Sequence, residues 1–344
     1  MAAPPLIALD PAPPDAVSRA SFSHSGDSVL VSTWAGTLSV YTSSNGLLKA
    51  EAPKSSRPLL DATWAGATGD ALAAATVDGR VLLTSPKESA FAPWTELGRH
   101  DDAARCVVSF GDVLATGSWD SSVRLWDGRT ENAEAMKVDV EGKVYAMCRC
   151  GEDSVAVATS SRRVRIVDRR KPEKFVHDKT PPTLQYQLRG LSARADGGQY
   201  VVGSTGGRVA VEWLDGKEEP FSFKCHRADG LSFPVNTIAH NGKYGSFATG
   251  GGDGHVSFWD GAAKKRIAQY PRYPTSVASI GFDGNSDRMV IAVSYTFEEG
   301  EKDHPPDEVH IVKVDDAHIA TKQDKGKVEE VTRVTQNKPA LTET

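Results

Sequence analysis

The stretch that decides the fold is VLATGSWDSSVRLWD, from Val113 to Asp127. It begins as a run of small and apolar residues, reverses through a polar turn at Asp120, and continues as Val123-Arg124-Leu125-Trp126. Apolar and polar residues alternate in that last piece, which marks a strand, because successive strand side chains point to opposite faces. Working outward, the pattern returns as VLVSTWAGTLSVY ending at Tyr41, ALAAATVDGRVLL ending at Leu83, VAVATSSRRVRIVD ending at Asp168, YVVGSTGGRVAVEW ending at Trp213 and SFATGGGDGHVSFWD ending at Asp260. A weaker copy runs from MVIAVSY, ending at Tyr295, through an acidic insertion to VHIVKV, ending at Val314. The equivalent positions Leu38, Val81, Val123, Val164, Val209, Val256 and Val309 recur roughly every 41 to 47 residues, with one longer final step.

A unit of that length holds four strands, and seven units predict an all-β, seven-bladed β-propeller, a closed ring with short protected edges. No long segment carries a helical stripe of apolar residues. The spare apolar piece PLIAL, residues 5–9, is predicted to supply the outer strand of the last blade and so fasten the ring. One domain is therefore expected over residues 1–314. The remainder, residues 315–344, is polar with interleaved charges, and a disordered or loosely attached tail is expected there.

Composition narrows the function. The chain has 344 residues, 39% of them hydrophobic, which suits a globular core and excludes wholesale disorder. A formal net charge of -5 argues against a dedicated duplex-DNA binder. The cysteines Cys106, Cys148, Cys150 and Cys225 show no zinc-ligand spacing and read as free thiols of a reducing compartment. No apolar run is long enough to span a membrane. The amino-terminal residues MAAPPLIALDPAPP lack a basic region and are broken by prolines, so no signal peptide is expected and a nuclear or cytosolic protein is.

Most of what resembles chemistry reads as scaffold. His100, Ser118 and Asp120 have the residue types of a nucleophilic triad. The repeat position instead predicts a buried hydrogen-bonded network of His100, Thr116 or Ser118, Asp120 and Trp126. The glycine-rich run GGGDGH, residues 250–255, lies between two strands with no helix after it, which makes it a hairpin turn and not a phosphate cradle. Cys148 and Cys150 have no third or fourth metal ligand nearby. No catalytic residue, metal or cofactor is expected.

Three features resist that reading. Trp34 and Trp119 share one repeat position, just before the turn, where small or polar residues are usual, and they read as interface anchors. Positive charge concentrates in Arg162, Arg163, Arg165, Arg189, Arg194, Arg208, Lys224 and Arg227, a set suited to carboxylates or a phosphorylated side chain. The third is the acidic insertion EEGEKDHPPDE, residues 298–308, expected as an exposed loop.

TGSWDSSVRLWDGRT, FKCHR, FPVN, FATGGGDGHVSFWD and KKRIAQYPRYPTSVASI together resemble the mitotic-checkpoint WD-repeat adaptors of the Bub family, over about Leu6 to Val314. FKCHR also resembles a sister propeller that serves messenger-RNA export by docking on a nucleoporin. RYPTS and SYTFEEGEKDHPPDEVHI favour the checkpoint family. The resemblance implies a non-enzymatic scaffold of the nucleus, at kinetochores in mitosis, with no direct nucleic-acid or membrane partner. It implies two peptide ligands. One is the GLEBS segment of the Bub-type checkpoint kinase and its Mad-type relative, matched here by Trp34, Trp119 and Arg208. The other is a phosphorylated Met-Glu-Leu-Thr motif of the kinetochore scaffold, for which Arg227 matches the family's basic residue; Gly245 stands where a family member has a blade-six lysine, so nearby Lys243 is the expected substitute, and Arg189 of the basic set is a further expected contact. Blade one departs from the pattern, with Trp34-Ala35 where Trp-Asp is usual, which puts its buried polar network in question.

Overall fold

The computed structural model describes residues 6–87, 90–130, 133–216 and 218–324. Seven four-stranded antiparallel sheets follow one another along the chain. Blade one is Val17–Phe22, Ser28–Thr33, Leu38–Thr42 and Leu48–Glu51. Blade two is Leu59–Ala65, Ala71–Thr76, Arg80–Thr84 and Thr95–Arg99. Blade three is Ala104–Phe110, Val113–Ser118, Ser122–Asp127 and Glu134–Asp139. Blade four is Val144–Arg149, Ser154–Thr159, Val164–Asp168 and Phe175–Lys179. Blade five is Leu188–Ala193, Gln199–Ser204, Arg208–Trp213 and Phe221–Lys224. Blade six is Val235–His240, Phe247–Gly251, Val256–Asp260 and Lys265–Gln269. Blade seven takes three strands from the end of the ring, Val277–Phe282, Arg288–Val293 and Glu308–Lys313, and its outer strand, Leu6–Ala8, from the beginning of the chain.

That last pairing closes the propeller as the sequence predicts: Leu6 lies opposite Val312 and Ala8 opposite His310. The first strand of each blade touches the first strand of the next, and blade seven's touches blade one's, so the ring has no open seam. Every first strand also carries a register shift near its start, which places one extra residue there: Ser18, Leu60, Arg105, Tyr145, Arg189, Asn236 and Ala278. Such a bulge bends the strand and re-aims its side chain. Arg105 and Arg189 thus sit at one level of the inner wall.

Burial follows from this stacking. A second strand lies between two neighbouring blades, so both of its faces are covered; ALAAAT of blade two, SVLVST of blade one and QYVVGS of blade five are buried throughout. Small and β-branched residues are what such a strand can hold. Outer strands such as EAMKVD of blade three are mostly exposed and polar. All seven equivalent positions from Leu38 to Val309 are buried. Apolar clusters join the blades, for example Val108, Val123 and Val138 of blade three with Val144, Met147 and Val157 of blade four. The four cysteines are free, and burial pushes the Cys106 thiol up to about 12.

The packed chain runs beyond Val314. Asp315 caps a single helical turn, α1, Asp316–Ile319, by accepting from the Ala317 amide at 2.9 Å. Ile319 is buried among Phe258, Tyr270 and Val314, and the Ser246 hydroxyl donates to its carbonyl at 2.6 Å. The start of the expected tail is therefore seated on blade six, because Ile319 has an apolar pocket to fill. Residues 325–344 lie outside the described residues.

Candidate peptide-binding rim

The antiparallel order fixes where each turn opens. Turns between second and third strands, and connections from an outer strand to the next blade, reach one rim. Turns between first and second strands reach the opposite rim. Trp34, Trp119, Arg208 and Arg227 all fall on the first rim.

Trp34 and Trp119 are held alike. The Trp34 amide donates to the Ala16 carbonyl and the Trp119 amide to the Ala103 carbonyl, both at 3.0 Å. Trp34 is 46% exposed, an unusual position for so large an apolar ring. Trp119 is half-buried, with the Lys143 ammonium 5.3 Å from its ring centre, and its buried indole Nε1 has no acceptor among the described residues. The turn beneath Trp34 is built differently from its counterpart. Ala35 supplies no carboxylate, and the hydroxyls of Thr33 and Thr37 bond each other at 2.6 Å instead. Blade one lacks the Asp-centred network, as its Trp34-Ala35 pair foretells.

Blade three has the network in full. His100 Nδ1 lies 2.9 Å from Asp120 Oδ2 and its Nε2 lies 2.7 Å from Thr116 Oγ1, while Trp126 Nε1 donates to the same hydroxyl at 2.7 Å. Ser118 does not meet His100; its hydroxyl donates to the Asp102 carbonyl at 3.1 Å and accepts from the Asp120 amide at 3.0 Å. His100 and Ser118 are therefore not arranged as base and nucleophile. Burial holds the His100 imidazole below its ordinary value, and the Asp120 carboxylate opposes this. Burial would push Asp120 up, yet the Ser122 hydroxyl and His100 hold its carboxyl well below the usual range.

Arg227 and Arg208 meet at one turn. Arg227, in the short hairpin Arg227–Ala228 and Leu231–Ser232 that leads into blade six, donates through Nη2 to the Gly206 carbonyl at 3.1 Å. Two residues on, Arg208 opens the third strand of blade five, half-buried, with no acceptor for its guanidinium among the described residues. Tyr186, which sequence reasoning missed, covers the same turn. It is 61% exposed, and its ring lies so close over Gly206 that a Cβ there would displace it.

Arg189 is not at this turn but on the inner wall. Burial lowers its guanidinium from the ordinary value, Glu298 opposes that, and Arg105 adds to it. Glu298 is the start of the acidic insertion, and it is not simply exposed. Its carboxylate accepts from Ser276 at 3.3 Å and from Thr296, which draws it against the inner wall.

Other members of the basic set are elsewhere. Lys243 lies between the first and second strands of blade six, on the opposite rim, and its ammonium donates to Asp316 at 2.8 Å. The strand reversal separates it from Arg227, so the two do not form one site. Arg165 is buried and neutralised by Asp178 at 3.3 Å and Glu141 at 2.5 Å. Arg194 pairs with Asp196 at 2.6 Å in a turn of the opposite rim. Among the described residues, no group of three His, Cys, Asp or Glu is placed to hold a metal ion.

The repeat model described as "WD domain, G-beta repeat" matches residues 92–127 and 218–260, the stretches that hold the His100 and His226 networks. The chain is 36% identical over 328 residues to the mitotic checkpoint protein BUB3.1 of Arabidopsis thaliana, covering 90% of this chain and 93% of that one. The chain belongs to the Bub3 family of WD-repeat proteins. The sister branch is also visible: identity to the Poly(A)+ RNA export protein of Schizosaccharomyces pombe is 30% over 301 residues, 84% of each chain. Among solved structures, the WD40 repeats of RRP9 superpose with a TM-score of 0.75 over 91% of this chain and 99% of that one. At 16% identity that likeness speaks to the propeller alone.

Proposed function

We propose that this Bub3-family propeller is a non-enzymatic spindle-checkpoint adaptor of the nucleus and kinetochore. Its rim binds the GLEBS segment of a Bub-type or Mad-type checkpoint kinase and reads phosphorylated Met-Glu-Leu-Thr motifs. The observation that carries this is the shared placement of Trp34, Trp119, Arg208 and Arg227 on one rim. The tryptophans offer anchors, one exposed and one half-buried beside the Lys143 ammonium. Arg208 offers a guanidinium to a GLEBS carboxylate. Arg227, tethered to Gly206, is pre-positioned for a phosphothreonine, which carries about -1.5 to -2 charge near neutral pH and three acceptor oxygens. Arg189, whose guanidinium burial holds low against the opposing charge of Glu298, serves the same peptide from the inner wall. Lys243 has no part in this reading.

The similarity to the RNA-export protein supports a second reading, an export adaptor that binds a nucleoporin GLEBS segment. One titration separates the two. Phosphorylated and unphosphorylated Met-Glu-Leu-Thr peptides are titrated against the parent, Arg227→Ala and Arg208→Glu. A checkpoint adaptor prefers the phosphorylated form, loses most of that preference in Arg227→Ala, and loses GLEBS binding first in Arg208→Glu. Trp34→Ala or Trp119→Ala weakens the GLEBS complex by at least about 2 kcal/mol with little change in thermal stability. No phospho-preference in the parent protein favours the export reading.

A further inference from the structure

The outer edge between blades five and six holds a pocket that the rim does not use. Its volume is about 120 Å³, and Phe221, Phe223, Phe247, Trp259, Asp260 and the lysines Lys224, Lys264 and Lys265 line it. The floor is aromatic. Trp213 stacks on Phe221 at 5.7 Å between ring centres, Phe221 on Phe223 at 5.9 Å, and Phe223 meets Trp259 at 4.5 Å. Trp259 is half-buried although its indole donates to Thr249 at 2.9 Å in the blade-six network.

The margin is cationic. Lys224, Lys264 and Lys265 are exposed, and none has a carboxylate partner among the described residues. Lys264 Nζ instead lies 5.0 Å over the Phe221 ring, on a backbone with φ of 56°. A non-glycine residue in that region is uncommon, and here it turns the ammonium over the aromatic floor. The one acid of the pocket, Asp260, is already engaged by the amides of Ala263 at 2.9 Å and Lys322 at 2.7 Å. A floor of carbon gives water few hydrogen-bond partners, so an apolar side chain gains by replacing it. Lys264, whose ammonium lies over that floor, and the exposed Lys265 beside it in the chain select acidic flanks.

We propose that this pocket is a second docking site, which seats one apolar side chain of a partner protein carried between acidic residues. Of its lining only Lys224 borders the rim, as the cross-strand partner of Arg208, and the pocket stands whether or not the rim binds the peptides proposed for it.

The test uses the full chain and a fluorescein-labelled Glu-Asp-Phe-Asp-Glu peptide read by polarisation, with Glu-Asp-Ala-Asp-Glu and Lys-Lys-Phe-Lys-Lys as controls. The phenylalanine peptide should bind at least about tenfold more tightly than either control, since an aromatic anchor and complementary charge act together. The exposed-charge variant Lys264→Glu with Lys265→Glu should lose about tenfold in affinity at unchanged melting temperature, and Phe221→Ala should lose binding of the phenylalanine peptide only. Equal binding of the alanine control, full binding by the double variant, or no binding at millimolar peptide overturns the proposal. Two other occupants are covered by the same preparation. Carbodiimide cross-links from Lys264 or Lys265 to Glu329 or Glu330 of the same chain would mean that its own carboxy-terminal residues fill the pocket. A dimer in sedimentation that the double variant abolishes would mean that a second copy does. Either result overturns the assignment to a partner protein.

Discussion

Blades three and six are built on the same four residue types and are covered in opposite ways. In both, a His ring bridges an Asp and a Thr, and a Trp donates to that Thr: His100, Asp120, Thr116 and Trp126 in one, His226, Asp253, Thr249 and Trp259 in the other. The covering residue comes from the blade before. Gly98 pairs with Val81 in blade two, and Phe223 pairs with Val209 in the equivalent register of blade five. Gly98 lets the outer strand lie flat on Trp126, which is 1% exposed. Phe223 props the neighbouring strand away from Trp259, leaving the ring half-buried beside an open pocket. A hydrogen-bonded network thus sets the shape of a blade, while one residue in the adjacent blade decides whether its Trp is core or surface.

The largest expected effect tests that division. Trp126→Ala removes a fully enclosed ring and should lower stability by about 3–5 kcal/mol. Trp259→Ala loses the same bond to a threonine hydroxyl, so any difference between the two variants reports on enclosure. Its loss should be smaller, seen as a higher urea midpoint at similar slope. Equal midpoints would break the comparison, because they would mean that the pocket side of Trp259 is packed as tightly as Trp126.

The comparison also shows what a single sequence could disclose. Seven blades were legible because strand alternation and the equivalent positions from Leu38 to Val309 survive even where Trp-Asp pairs are missing. The positions of Trp34 and Trp119 were legible for the same reason, since counting from the turn places them on one rim. Lys243 stands close in the chain to Gly245, but closeness along the chain says nothing of which rim a turn faces; the reversal of one strand carries it to the side away from Arg227. Arg165 looked like part of a basic edge, but its cross-strand neighbour is Asp178, a pairing that only register reveals. Glu298 begins a run of acids with no periodicity, so nothing distinguished the one carboxylate that folds inward. The equivalence of Gly98 and Phe223 needs the register of two different blades at once, and their sequence contexts share no marker.

A substitution of intermediate size acts on the covering residue itself. Glycine to alanine at an ordinary strand position stabilises by about 0.4–1 kcal/mol through the unfolded chain. Gly98 has no positive φ to forbid a side chain, so backbone strain is not at issue. Its Cβ would, however, press into the Trp126 ring, with Cη2 only 2.9 Å away. Overpacking of that kind costs about 1–3 kcal/mol, which outweighs the entropic gain. Gly98→Ala should therefore lower the melting temperature. A rise would show that the strands of blades two and three can part as those of five and six do, and the contrast between the two joints would dissolve.

The smallest effect concerns acid, and it turns on a residue that differs between the networks. Arg124 in blade three donates to Asp120 at 3.1 Å, and Ser257 occupies the equivalent place in blade six. Burial lowers the His100 imidazole first of all, and Arg124 adds its positive charge to that effect. In the unfolded chain a histidine takes its proton near pH 6.5, whereas folded His100 still refuses it there. The folded state therefore binds fewer protons as pH falls below that value, and stability present at neutral pH is lost. One whole proton of difference corresponds to about 1.4 kcal/mol per pH unit, which bounds what His100 contributes. Arg124→Ser installs the blade-six residue and removes the nearest cation, so folded His100 should accept its proton at higher pH. The variant should be less stable at pH 7, having lost its bonds to Asp101, Asp120 and Glu134, yet its melting temperature should fall less steeply between pH 7 and pH 5. His177, His240 and His310 are also held low by burial, but they are unchanged in the variant and cancel in the difference of slopes. Parallel curves would show that Arg124 has no hold on His100, and that the two blades differ in their covering alone.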